Sequence, residues 1–163
     1  MTKLRIVQSG TATLAAAVLF ALPALGGRSS ESRAQNAKLD PATLAYELPS
    51  EIHWTDDAIG AKTAVLLGDP SKPGLYIELV KWTPHHMSHP HWHPNDRFIT
   101  VLSGTWWVGT GTKFDPDQTV PMPAGSFVTH YGKHVHFDGA KDQEAVLEIV
   151  GEGPGTATPA ESK

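Results

Sequence analysis

The sequence predicts an all-β domain, a small antiparallel sandwich or barrel, and three observations carry the prediction. From residue 48 onward Gly or Pro interrupts the chain at roughly 8–12-residue intervals, as in Gly68-Asp69-Pro70, Ser103-Gly104 and Pro121-Met122-Pro123. Between the interruptions lie short runs rich in β-branched and aromatic residues. Beyond the N-terminal segment, no window keeps a 3.6-residue apolar period. A chain of 163 residues suits one such domain and buries a core without staples. It has no cysteine, so disulfides and thiolate metal sites are excluded, and a metal would be held by nitrogen and oxygen.

Taken in order, residues 1–34 read as an export signal and linker. Lys3 and Arg5 give a positive start, and Thr11–Leu25 is apolar and uncharged. That run is too short for a spanning helix, which needs about 20 residues, and suits a signal peptide. Ser32-Arg33-Ala34 fits small-x-small cleavage, with Ala24-Leu25-Gly26 as an earlier option and an uncleaved anchor as the alternative. A periplasmic or secreted protein, free of the membrane once cleaved, is expected. Cleavage after Ala34 leaves nine basic and sixteen acidic residues, a formal net charge of −7. That argues against a nucleic-acid partner, which would require a basic face.

Residues 35–47 are read as an N-terminal arm with a short helical turn around Pro41–Tyr46. The domain is expected over 48–153. Its strands are predicted at Thr63–Leu67, Leu75–Trp82, Phe98–Leu102, Thr105–Val108, Ser126–Thr129 and Ala145–Val150, with a helical turn at Asp115–Thr119. Residues 154–163, rich in Gly, Pro and Thr, are expected to form a flexible tail.

Five of the nine histidines fall within residues 85–93. His91 and His93 share one face of a strand, and Trp92 points to the other. Two imidazoles on one face can chelate one cation. A third ligand is available in THYGKHVHF, from His130, His134 or His136. His85, His86 and His89 are read as solvated loop groups, with an auxiliary metal or proton-transfer role as the alternative. In a regular strand Asp96 faces away from His93. Of the adjacent Trp106 and Trp107, one faces inward, as core packing or alternatively a substrate wall, and the other outward onto a covered surface.

At these residues the chain resembles the cupin superfamily. The first cupin motif pairs His-x-His with a Glu four residues on and a Gly seven further. His91, His93, Arg97 and Gly104 keep that spacing, with arginine where Glu is usual. The second motif runs Gly, five residues, Pro-x-Gly, two residues, His. Gly125 and His136 keep it, with Tyr131 and Lys133 at the two ends of Pro-x-Gly. GDPSKPG, HWHPND and PAGS resemble a group of small bacterial cupins, and the resemblance covers roughly residues 48–153.

The resemblance implies a single cupin domain, an antiparallel double-stranded β-helix or jelly roll, often a homodimer. It implies metal ligation by His91, His93 and His136, with His130 and His134 beside the site or as substitute ligands. Arginine cannot coordinate a cation. The expected site therefore holds a divalent ion on three histidines, iron first and zinc, manganese, nickel or copper as alternatives. The uncancelled charge favours small anionic or chelating substrates, and Arg97 supplies a fork suited to a carboxylate. The competing reading pairs Arg97 with Asp96 or Glu78. The functions implied are a mononuclear, dioxygenase-like oxidoreductase, or lyase or isomerase chemistry on the same pocket. The alternatives are a non-catalytic binding cupin and a histidine-rich metal scavenger.

Overall fold

Alternation of buried and exposed side chains organises the strands. The structure is a computed structural model that describes residues 39–162, so the expected export signal lies outside the described residues. Residues 39–45 belong to a unit of their own. They make one turn, in which the Asp40 carboxylate accepts from the Ala42 amide and the Thr43 hydroxyl.

The second unit, residues 46–163 in extent, carries twelve strands among its described residues. They are β1 (Thr55–Asp56), β2 (Ala61–Leu67), β3 (Gly74–Trp82), β4 (His86–Met87), β5 (His91–Trp92) and β6 (Arg97–Ser103). Then follow β7 (Thr105–Thr110), β8 (Val120–Pro123), β9 (Phe127–His130), β10 (His136–Ala140), β11 (Ala145–Gly153) and β12 (Thr158–Pro159). One sheet runs β1-β2-β3-β11-β6-β9 and the other β12-β5-β10-β7-β8, with β4 also on β10. All pairings are antiparallel.

The two sheets enclose one core. β3 contributes Tyr76, Val80 and Trp82, β6 Ile99 and Val101, and β11 Leu147 and Ile149. Trp106 and Val108 of β7 meet them from the other sheet. Full burial of an Ile, Leu or Val contributes roughly 1.5–3 kcal/mol each. Trp106 is the inward tryptophan, and its indole N–H donates to Asp138 at 3.1 Å. Trp107 faces out, where the Lys141 ammonium covers its ring at 4.0 Å.

All six predicted strands form, and the second predicted helical turn is a 3-10 turn at Pro116–Gln118. The expected flexible tail is corrected. Residues 154–162 return along the barrel mouth: β12 pairs with β5, and the amides of Gly155, Ala160 and Ser162 donate to Pro70, Pro90 and Thr112 carbonyls. Composition suggested looseness, but each of these donors meets a backbone acceptor on the barrel.

Inward parity carries polar residues as well as apolar ones. Along β6 the inward positions are Arg97, Ile99 and Val101, and along β3 they are Tyr76, Glu78, Val80 and Trp82. Along β10 they are His136, Asp138 and Ala140. The charged members of these rows meet at one end of the barrel.

Candidate metal centre

β5 and β10 pair with His91 directly opposite His136. His93 follows β5 two residues on, so its ring returns to the same face. The three rings converge, with centroids 4.5–5.4 Å apart. One nitrogen from each of the three lies within 4.8 Å of the others. The Nε2 atoms of His91 and His93 are 3.1 Å apart, a spacing suited to two nitrogens sharing an ion about 2.0–2.1 Å from each.

The tautomers are set by the backbone. His91 Nδ1 faces the His89 carbonyl at 2.8 Å, and His136 Nδ1 faces the His134 carbonyl at 3.1 Å. His93 Nδ1 faces the carbonyls of Gly155 and Thr156, each at 3.2 Å. A carbonyl only accepts, so each Nδ1 carries the proton and each Nε2 presents a lone pair. Three lone pairs thus point into one buried space, and His136 Nε2 has no protein partner there. Such a set repels itself unless a cation or donor sits among it. The residues fit a divalent metal ion.

Burial favours the neutral form of the His93, His130 and His136 rings. Burial, then Arg97 and the neighbouring imidazoles, lowers the His93 pKa to about 2. Burial and the rings of its neighbours do the same to His130, also to about 2. Burial lowers His136 as well, opposed by Asp138. The His136–Asp138 approach of 3.9 Å is therefore not an ion pair while the ring is neutral.

Arg97 points inward. Its NH1 donates to His93 Nε2 at 2.6 Å and its NH2 to Glu78 Oε1 at 3.3 Å, with both side chains well shielded from solvent. Arg97 thus faces the histidines and also makes the pair with Glu78 that the competing reading expected. Burial raises the Glu78 carboxyl, opposed by the Arg97 charge. Asp96 is not the partner and not a ligand, since its carboxylate accepts from the Gly132 amide at 2.7 Å.

The second histidine cluster separates cleanly. His136 joins the site. His130, directly opposite Arg97 in the β6–β9 register, is buried against the His136 ring at 3.8 Å and beside Trp106. His134 is exposed and turns its Nδ1 to the Gly132 carbonyl, so it is not a substitute ligand in this arrangement. His85 and His86 are exposed, and His89, also exposed, stacks on Phe114 and meets Glu161 at 2.8 Å. The departure at Pro-x-Gly also has a structural account. Lys133 adopts φ +65°, the left-handed conformation that Gly takes without strain, and its amide donates to the His93 carbonyl.

Two features escaped the sequence reading. Asp138 is a buried carboxylate on the inward row of β10, and the His136-x-Asp138 spacing was its signal. The carbonyls of residues 155 and 156 had no signal, because a backbone acceptor carries no residue type. Asp138 and Gly155 border a cavity of about 260 Å³, which is also lined by the apolar Val80, Trp82, Ile99 and Leu147.

Comparison with protein-family models finds no match, and no curated protein matches in sequence. Solved structures do match in shape. The polyketide cyclase RemF from Streptomyces resistomycificus aligns with a TM-score of 0.61 at 14% identity, over 74% of this chain and 87% of that one. A cupin-2 domain protein from Rhodospirillum rubrum aligns at 0.54 and 13% identity, over 74% and 80% of the two chains. The fold is the cupin double-stranded β-helix. KdgF from a Halomonas species shares it at a TM-score of 0.53 and 16% identity, over 67% of this chain and 95% of that one. At such identities the likeness concerns the fold, and the cupin barrel hosts many chemistries.

Proposed function

We propose that this cupin-fold chain binds one divalent metal ion through His91, His93 and His136 and acts on a small organic anion held in the barrel cavity. The convergence of three Nε2 lone pairs, each fixed by a backbone carbonyl, carries the reading. A divalent ion on three neutral imidazoles supplies Lewis acidity and, as iron, the dioxygen chemistry of an oxidoreductase. Around it, Arg97 offers a guanidinium to the anionic end of a ligand, and the apolar wall excludes water from the rest. Asp138, 3.9 Å from His136 Nε2, is placed to take or hold a proton beside the site. Glu78 and Asp138 contribute two negative charges against Arg97 and a divalent ion. The filled pocket is then net positive, which favours an anionic occupant.

Metal analysis of protein prepared without a histidine tag tests the first half, with one ion per chain expected. Oxygen uptake with a panel of diketones, phenols and thiols tests the second. Turnover by the wild type that is lost in His136→Ala is the expected result. A stoichiometric metal with no turnover on that panel would favour the second reading, a non-catalytic binding cupin. One observation favours that alternative: an arginine stands where the usual cupin pattern puts a fourth ligand.

The chain is further proposed to work outside the cytoplasm, on the strength of its N-terminal sequence, and as a homodimer. Leu75, Phe98, Leu102 and Phe127 are exposed on strands of one sheet, with Phe98 stacked on Phe127 at 6.5 Å, which supports a covered face. Light scattering of the mature protein checks the dimer, with twice the chain mass expected.

A further inference from the structure

Arg97 occupies the lone pair that a metal would take. His93 Nδ1 donates to the chain's C-terminal segment, so Nε2 is an acceptor with a single in-plane lone pair. The Arg97 NH1 sits 2.6 Å from it. A cation bound by His91, His93 and His136 requires the same lone pair, so guanidinium and metal exclude one another at His93. The guanidinium also repels a cation at this range.

The rest of the guanidinium is poorly satisfied. Its NH2 reaches Glu78 only at 3.3 Å, and its Nε is buried without a partner. Arginine presents a planar fork matched to a carboxylate, and two parallel charged hydrogen bonds outcompete one bond to a neutral ring nitrogen. Space for such a group lies alongside, in the cavity that Arg97 lines together with His91, His93 and Ser88.

We propose that Arg97 is a latch on the metal site and that a small monocarboxylate opens it: the anion takes the guanidinium fork, His93 Nε2 is released, and metal and carboxylate bind with positive coupling. The proposal rests on the reading of the three histidines as metal ligands. It adds that the carboxylate acts through Arg97 and not only by contact with the ion. Linkage makes the effect reciprocal, so zinc tightens carboxylate binding by the same factor that carboxylate tightens zinc binding.

Zinc is the probe metal, its free level set by a competing chelator, and benzoate is the probe anion because it chelates zinc weakly. In wild type, saturating benzoate is expected to tighten zinc binding about tenfold, within the range usual for coupled sites. In Arg97→Met, zinc is expected to bind about tenfold tighter than in wild type without any anion, and the benzoate effect to shrink to about twofold or less. If benzoate tightens zinc equally in both proteins, it acts by direct coordination and the latch is overturned. An Arg97→Met protein that binds zinc no better than wild type overturns it too. Loss of zinc binding in both proteins would refute the three-histidine reading itself, a separate outcome. Nitrogen NMR of metal-free wild type decides the matter should the variant fail to fold. Benzoate alone is expected to shift the His93 Nε2 resonance as Arg97 leaves it, and an unmoved resonance at benzoate saturation overturns the latch.

Discussion

Removing residues 154–163 tests the claim that the C-terminal segment belongs to the proposed metal centre. The deletion leaves β11 intact to Gly153 and takes away the carbonyls of Gly155 and Thr156. His93 is only 5% exposed, so its Nδ1–H is left without an acceptor when the segment goes. An unpartnered buried donor costs about 1–3 kcal/mol. The ring relieves that cost by turning or by drawing in water, and either response misdirects Nε2. Loss of a group that orients a ligating imidazole lowers metal affinity about 10–100-fold, or roughly 1.4–2.7 kcal/mol. Only two residue pairs of sheet ladder are lost with β12, so the barrel is expected to remain folded. The assay is zinc affinity by chelator competition, run beside thermal melting of the metal-free proteins. A weaker zinc site on a protein that still melts cooperatively is the expected result. Zinc affinity within about twofold of the full chain would show that the carbonyls do not orient His93.

Further expectations concern single residues and pH. His136→Ala should abolish stoichiometric metal binding, whereas His134→Ala should retain it, because the His134 ring is exposed and turned away; metal analysis of both variants decides between the two histidines. Lys133→Gly should stabilise the fold by about 0.5–1 kcal/mol by relieving a left-handed non-glycine backbone at φ +65°, and a lowered melting temperature would count against that account. Metal-free protein should lose stability as pH falls. His93 and His130 have folded pKa values near 2, below the ordinary 6.5. Stability from their burial is therefore complete above pH 6.5 and declines as the unfolded chain takes up protons. Between pH 7 and 5 each ring removes on the order of 2 kcal/mol. A melting temperature that stays level across that interval would show that the rings are not buried neutral.

The fold was legible because period-two runs bounded by Gly and Pro leave little choice but antiparallel strands. Thr63–Leu67 and Ala145–Val150 were both found within a few residues of their observed ends. The strands that escaped are those whose residues have weak β preference. His136–Ala140 holds Asp and Gly and still forms a buried central strand, because β5 and β7 flank it and β4 also pairs with it. Gly139 is required there, since a Cβ would meet the His86 carbonyl at 2.2 Å. Val120–Pro123 carries two prolines and survives as an edge strand, where a missing amide leaves no gap in the ladder. Tertiary contacts override propensity in both cases.

The site was legible where it depends on parity and illegible where it depends on chain ends. His91 and His93 emerged from the alternation of His-x-His, whereas alternation left His130, His134 and His136 open and the choice of His136 came from the resemblance of its motif. Arg97 shows the limit of that reasoning. Spacing put it at the position of the usual fourth ligand but could not say whether it points inward or what it meets, because its partners arrive from β3 and from the loop beyond β5. Once they are in place, the exchange of a carboxylate for a guanidinium is less drastic than the sequence suggests. Glu78 is inward on β3, and both β3 and β6 pair with β11, so the acid and arginine reach one another across the central strand. A carboxylate thus remains near the site, two strands over from the usual ligand position, with the arginine between it and His93. Breaking such a shielded pair from one side costs about 3–5 kcal/mol, so Glu78 and Arg97 are constrained together. Three convergent imidazoles with a shielded Arg–Glu pair against them are the parts the proposed latch requires, in which the guanidinium and a metal ion compete for His93 Nε2.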